Sequence, residues 1–149
     1  MKKLLLTILL FSVFFFQNCN KSNDNFSYCD GCFLAAWDGY FQGSGTYFTA
    51  DTGDTFDNIE VEVNIDNTYD STLAINVKAS TYISENFTVT KQDQKYYMNI
   101  GTGSRTLDLG LKKKGNEYKI DGTLKLNSWS KIDSTWSVNK SLTFEVFKK

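Results

Sequence analysis

The chemistry open to this chain is bounded first by a residue type it lacks. Its 149 residues contain no histidine, which removes Ser-His-Asp and Cys-His nucleophilic machinery and every histidine-based metal site. Carboxylates are plentiful, but no spacing among them marks an acid and base pair of the kind glycoside hydrolysis needs. The chain therefore reads as a non-enzyme without a cofactor. Cys29-Asp30-Gly31-Cys32 has the C-x-x-C spacing of redox dithiols and of half a zinc site. A redox role draws on a helix N-terminus in a βαβ setting, and zinc needs two further ligands. A structural disulfide is the expectation, because Asp-Gly is a good turn centre for bringing two Cα atoms into bridging range. Redox, metal-bound or free thiols are the alternatives.

Two other groups of residues invite a chemical reading. Asp51, Asp54 and Asp57 could collect oxygen ligands for calcium or simply form a solvated loop, and their spacing is not that of an EF-hand. Trp129 and Trp136 flank the last hairpin loop. Parity with Leu124 and Leu126 points Trp129 away from the core, whereas Trp136 shares the parity of Leu142 and Phe144. They either pack against their own hairpin or offer an aromatic platform to a sugar ring or a partner protein.

The elements that must position these residues are strands. Alternation is clearest at Ile59, Val61, Val63 and Ile65, with Glu60, Glu62 and Asn64 between them. It recurs in six later stretches, centred on Ile75, Phe87, Met98, Leu109, Ile120 and Phe144, and Tyr40 to Phe48 supplies a glycine-interrupted eighth. The links, such as Asp66-Asn67, Gly101-Thr102-Gly103 and Gly115-Asn116, are short enough to force antiparallel neighbours. The expected fold is all-β: one eight-stranded antiparallel meander over residues 33–149, closed as a barrel or folded as a two-sheet sandwich. The inward rows are mostly large side chains, so the interior is expected to be filled, with any space beside Gly122 or the Gly43 and Gly45 pair.

The N-terminus carries an address. Lys2 and Lys3 precede the uncharged run Leu4 to Phe16, which gives way to Gln17, Asn18 and Cys19. Thirteen helical residues cover only about 20 Å of a hydrocarbon core about 30 Å thick, so the segment reads as a signal peptide over residues 1–18. Phe16-Gln17-Asn18-Cys19 resembles the lipobox of bacterial lipoproteins. That resemblance implies acylation of Cys19, a palmitate-bearing mature N-terminus, and membrane attachment in the cell envelope, at the periplasmic or surface face of the outer membrane. A soluble secreted protein cut nearby is the alternative. Residues 19–32 then form a lipid-anchored tether ending in the C-x-x-C, and acylation leaves Cys29 and Cys32 as an even pair in an oxidising compartment.

Loss of Lys2 and Lys3 leaves fourteen basic residues against seventeen acidic ones, which gives no basic footprint for nucleic acid. The charges are uneven: residues 19–85 hold eleven acids and two bases, and residues 86–149 hold six acids and twelve bases. Either two halves of one sheet attract each other, or a polarised surface orients a partner.

The short turn Phe33 to Trp37, followed by a Trp- and Gly-bearing first strand (Trp37-Asp38-Gly39) and consecutive hairpins, resembles the lipocalin-like (calycin) family. The resemblance implies a barrel that binds a small or apolar molecule, or a glycan. Gly43-Ser44-Gly45-Thr46-Tyr47 resembles an element of bacterial membrane-bound lysozyme inhibitors. It implies the other reading: a structural or protein-interaction lipoprotein, with an envelope protein or an inhibited enzyme as partner and Tyr47 on the partner surface.

Overall fold

The computed structural model describes residues 25–32, 34–67, 72–90 and 96–149; residues 1–24, Cys19 among them, lie outside the described residues. The described chain consists of strands β1 (Ser27–Tyr28), β2 (Gly39–Thr49), β3 (Asp54–Asp66), β4 (Thr72–Ala79), β5 (Ile83–Thr90), β6 (Tyr97–Ile100), β7 (Arg105–Lys114), β8 (Glu117–Ser130) and β9 (Thr135–Lys148), with one 3-10 turn at Leu34–Ala36. All eight stretches read as strands from their alternation are strands. Their connections are tight because the turn residues suit them. Gly101 and Gly103, for example, adopt φ of 81° and 67° between β6 and β7, a region that residues with a Cβ rarely visit.

A ninth strand comes from the segment expected to be tether. Ser27 and Tyr28 pair with Lys113 and Lys112 of β7, and Phe26 packs its ring edge-on against Phe147 at 5.9 Å. Residues 26–32, expected to belong to the tether, are thus part of the folded sheet and its packing. The missed signal is a short alternation, Phe26 and Tyr28 about Ser27.

All nine strands form one antiparallel sheet in the order β1-β7-β8-β9-β2-β3-β4-β5, with β6 also on β7, along the same edge as β1. The chain makes two four-stranded meanders, β2 to β5 and β6 to β9, and nine register pairs between β2 and β9 join the first to the last. The consecutive strands β5 and β6 share no ladder. Side-chain contacts nevertheless link β7 to β5. Arg105 at the start of β7 reaches Glu85 of β5 at 3.1 Å, and its guanidinium lies 5.3 Å from the centre of the Phe87 ring. This ion pair joins the acidic half of the sequence to the basic half.

One face of the sheet carries the core. Val61, Val63, Leu73, Val77, Leu107, Leu109, Leu111, Ile120, Leu124, Leu142 and Val146 are completely buried, and Trp37, following the 3-10 turn, is 0 % exposed. Each such aliphatic side chain contributes roughly 1.5–3 kcal/mol when fully withdrawn from water. The expected space beside Gly122 is absent, because the Phe144 ring lies where a Gly122 side chain would stand. The pair Gly43 and Gly45 leaves no gap either. The β9 backbone presses against both, with Thr143 O 2.6 Å from where a Gly45 Cβ would be. The glycines in these rows are points of close approach, and the neighbouring strand fills them.

Candidate functional site

Strands β8 and β9 are the longest, at fourteen residues each, and outrun their neighbours. Strand β7 starts at Arg105, opposite Leu126, and β2 ends at Thr49, opposite Lys140. Residues 127–138 therefore project as a two-stranded ribbon from the end of the sheet that also carries the β2–β3 and β4–β5 turns.

A bulge sits at the base of this ribbon. Leu126 pairs with Lys140 but Asn127 pairs with Val138, leaving Asn139 as the extra residue on β9. One inserted residue reverses the facing of everything beyond it. Trp136 was expected to share the inward parity of Leu142, and the bulge corrects that: Trp136 stands directly opposite Trp129, on the outer face. Trp129 points outward as its parity with Leu124 predicts. Their ring centres are 5.2 Å apart with planes inclined at 60°, within the favourable range for an aromatic pair. Even so, the two remain 47 % and 48 % exposed. Val138 extends the apolar patch at 40 % exposure, and Ile132 in the turn is 94 % exposed.

The ribbon is pinned at its root. Asn127 donates its backbone N–H to Ser104 O and its side-chain Nδ2 to Gly103 O, both at 2.7 Å. Ala50 N–H donates to Asn139 O at 2.8 Å, so the bulge residue is held by the β2–β3 turn. Gly103 underlies Trp136, and a Cβ there would come within 3.1 Å of the indole. In the loop, Ser130 Oγ donates to Asp133 Oδ2 at 3.1 Å and Ser134 takes a φ of 51°. Such side-chain bonds favour the turn over continued strand.

The other residues singled out from sequence fall elsewhere. Tyr47, expected on a partner surface, is only 4 % exposed. It faces inward on β2, and its ring lies 6.2 Å from that of Phe56 and 5.1 Å from that of Tyr82. These three rings close the core at the ribbon end. The surrounding Ser44-Gly45-Thr46 lies within the same strand. Cys29 and Cys32 have their sulfurs at bonding distance and their Cα atoms 5.4 Å apart, inside the range a disulfide requires. Of the acidic loop, Asp54 and Asp57 belong to β3, and Asp57 accepts a 2.7 Å hydrogen bond from Thr46 Oγ1. No group of three or more Cys, Asp or Glu among the described residues is arranged to hold a metal ion.

Two tyrosines not anticipated from sequence occupy the outer face. Tyr28 and Tyr97 are 56 % and 53 % exposed. The Tyr97 hydroxyl donates to Asp108 Oδ1 at 2.9 Å. This bond, with desolvation and the carboxylate's charge adding to it, raises the phenol above its ordinary pKa.

No protein-family model matches the chain, nor does any curated protein or solved structure.

Proposed function

We propose that this chain is a non-enzymatic, lipid-anchored protein of the cell envelope whose curled sheet is a barrel-like scaffold, and that it binds a glycan on its outside through the projecting ribbon. The single observation carrying this reading is the Trp129–Trp136 pair, which stays half exposed on a ribbon that is otherwise fixed in place. Leaving two indoles half in water forgoes on the order of 1 kcal/mol of burial at each, so an exposed pair held on a pinned ribbon is well suited to a ligand that covers it. Indole faces stack on the C–H face of a sugar ring.

The interior supports external binding. A lipocalin-like scaffold of this strand number can hold one small ligand only where inward side chains leave room, and the inward rows here are filled across Gly122 by Phe144. Barrel-like closure is supported by the Arg105–Glu85 contact between the sheet's ends, and the β5–β6 boundary is where it stays unladdered. Envelope attachment is supported by the Lys2-Lys3 start, the apolar run and Cys19. Labelled palmitate should enter the wild type and not Cys19→Ala, and equal labelling of both would contradict the anchor. A Cys29–Cys32 bond predicts no free thiol at these positions in unreduced, denatured exported protein.

Sedimentation with purified peptidoglycan sacculi tests the binding reading. Wild type should co-sediment and the Trp129→Ala/Trp136→Ala double variant should not. A second reading, contact with a partner protein, is favoured by the exposure of Ile132 and Val138, apolar groups that a sugar does not need. It predicts that a photo-crosslinker at Ile132 captures one discrete protein in the envelope while neither variant nor wild type sediments with sacculi.

A further inference from the structure

On the outer face, at right angles to the strands, lies a trough separate from the ribbon. Its floor is Gly110 of β7, whose cross-strand partner is Tyr97 of β6. The Tyr28 ring of β1 lies over the same glycine, its Cε1 3.2 Å from where a Gly110 Cβ would be. The two exposed tyrosines therefore flank one side-chain-free position. Beyond it a hollow of about 310 Å³ runs over Asp108, Thr123 and Thr143. A second hollow of about 240 Å³ follows across β9, β2 and β3, reaching Ser44 and Asn58 and sharing Thr143 with the first.

The register explains the continuity. Asp108 pairs with Thr123, Thr123 with Thr143, and Thr143 with Thr46, so short side chains follow one another across adjacent strands on one face. At about 4.8 Å per strand, the path from β6 to β3 is roughly 24 Å long. The Asp108 carboxylate is held in place by the Tyr97 hydroxyl and by Asn99 Nδ2, both donating to Oδ1. Asp121 at the trough's edge is already engaged by Lys112 and Lys119. What the trough offers a ligand is two exposed aromatic rings at one end, of which Tyr28 already carries Lys112 Nζ 5.2 Å from its centre, then a carboxylate and a line of hydroxyls.

We propose that this trough binds a neutral oligosaccharide, stacked on Tyr28 and Tyr97 and hydrogen-bonded to Asp108, Thr123 and Thr143. Aromatic faces meet sugar C–H groups, while carboxylate and hydroxyl oxygens meet sugar hydroxyls. An acidic sugar would face the Asp108 carboxylate, whose partners Tyr97 and Asn99 are uncharged, and is disfavoured; Glu145, like Asp121, is paired with Lys119. The ligand class rests on the glycan reading above, but the site shares no residue with the ribbon.

The test is residue-resolved. Backbone amide spectra of the full chain in a detergent without a sugar headgroup would be titrated with chitotetraose, maltotetraose and mannotetraose, and with tetragalacturonate as the acidic control. At least one neutral tetrasaccharide should shift the amides of Tyr97, Asp108, Thr123 and Thr143 saturably, and tetragalacturonate should not. Tyr97→Ala, which removes an exposed ring, should weaken binding roughly tenfold, equivalent to about 1.4 kcal/mol. Thr143→Val, with the same shape and no hydroxyl, should also weaken it and guards against a local disturbance of β6. Saturable shifts confined to residues around Trp129 and Trp136 would overturn the trough and leave the ribbon reading standing. Shifts confined to the trough would do the reverse, and no shift with any neutral sugar would overturn the trough.

Discussion

The same two strands, β8 and β9, behave as two different structures on either side of one residue. Below Asn139 they are core: Ile120, Leu124, Leu142 and Val146 are completely buried, and the Phe144 ring fills the space over Gly122. Above it they are a ribbon whose largest side chains, Trp129 and Trp136, stand half in water. Patterning does not separate the two regions, since both set apolar residues among polar ones. What separates them is the presence of neighbours. Strands β7 and β2 flank the lower part and stop where the ribbon begins, so only the lower part has a packed layer to close against.

The largest test of this contrast removes a core side chain. Ile75→Ala should lower unfolding free energy by roughly 2–5 kcal/mol, measured by denaturant melting, and a melt equal to wild type would show that the interior is not tightly packed. Gly122→Val pushes a side chain into the Phe144 ring and should cost about 1–3 kcal/mol. Unchanged stability there would reveal room that the filled interior denies. On the ribbon, Trp129→Ala loses the pair's about 0.5–1.5 kcal/mol and the burial of its covered half, and should still cost less than Ile75→Ala. A loss as large as that of Ile75→Ala would make Trp129 a core residue and erase the contrast.

Two smaller effects probe the edges of the scaffold. Arg105 and Glu85 have side chains 52 % and 22 % exposed, and such ion pairs contribute about 0–1 kcal/mol. Arg105→Ala should therefore leave global stability nearly unchanged while speeding amide exchange along β5, and exchange equal to wild type would show that the pair does not hold that boundary. The smallest effect is a titration. With its pKa raised by the Asp108 bond, Tyr97 should ionise above the range of free tyrosine, and Asp108→Asn should lower it again. Linkage gives the sign: a group protonated more tightly in the folded state supports folding below the unfolded phenol pKa of about 10, and loses that support as pH rises through the folded value.

Much of the fold was legible because strand alternation has a period of two and this chain keeps it. Rows such as Ile59 to Ile65 or Leu107 to Leu111 state both the strand and the face it buries. Three features escaped for physical reasons. The bulge at Asn139 has no residue type of its own, so parity carried Trp136 to the wrong face. The strand at Ser27–Tyr28 is two residues long, too short for a period to declare itself among polar neighbours. The outer trough depends on register between strands distant in sequence, Asp108 beside Thr123 and Thr143 beside Thr46, which one strand read alone does not contain. Tyr47 failed differently. A short motif placed it on a surface, while its own strand parity, shared with Phe41, pointed it into the core.

The central claim is that binding occurs outside a filled scaffold, and the three tryptophans report on it directly. Trp37 is fully buried, whereas Trp129 and Trp136 are half exposed, so indole emission distinguishes interior from surface. Titrating the full chain with chitotetraose should give a saturable change in emission that disappears in the Trp129→Ala/Trp136→Ala variant, where Trp37 alone remains. A saturable change that persists in that variant would place the ligand against the core and contradict the account.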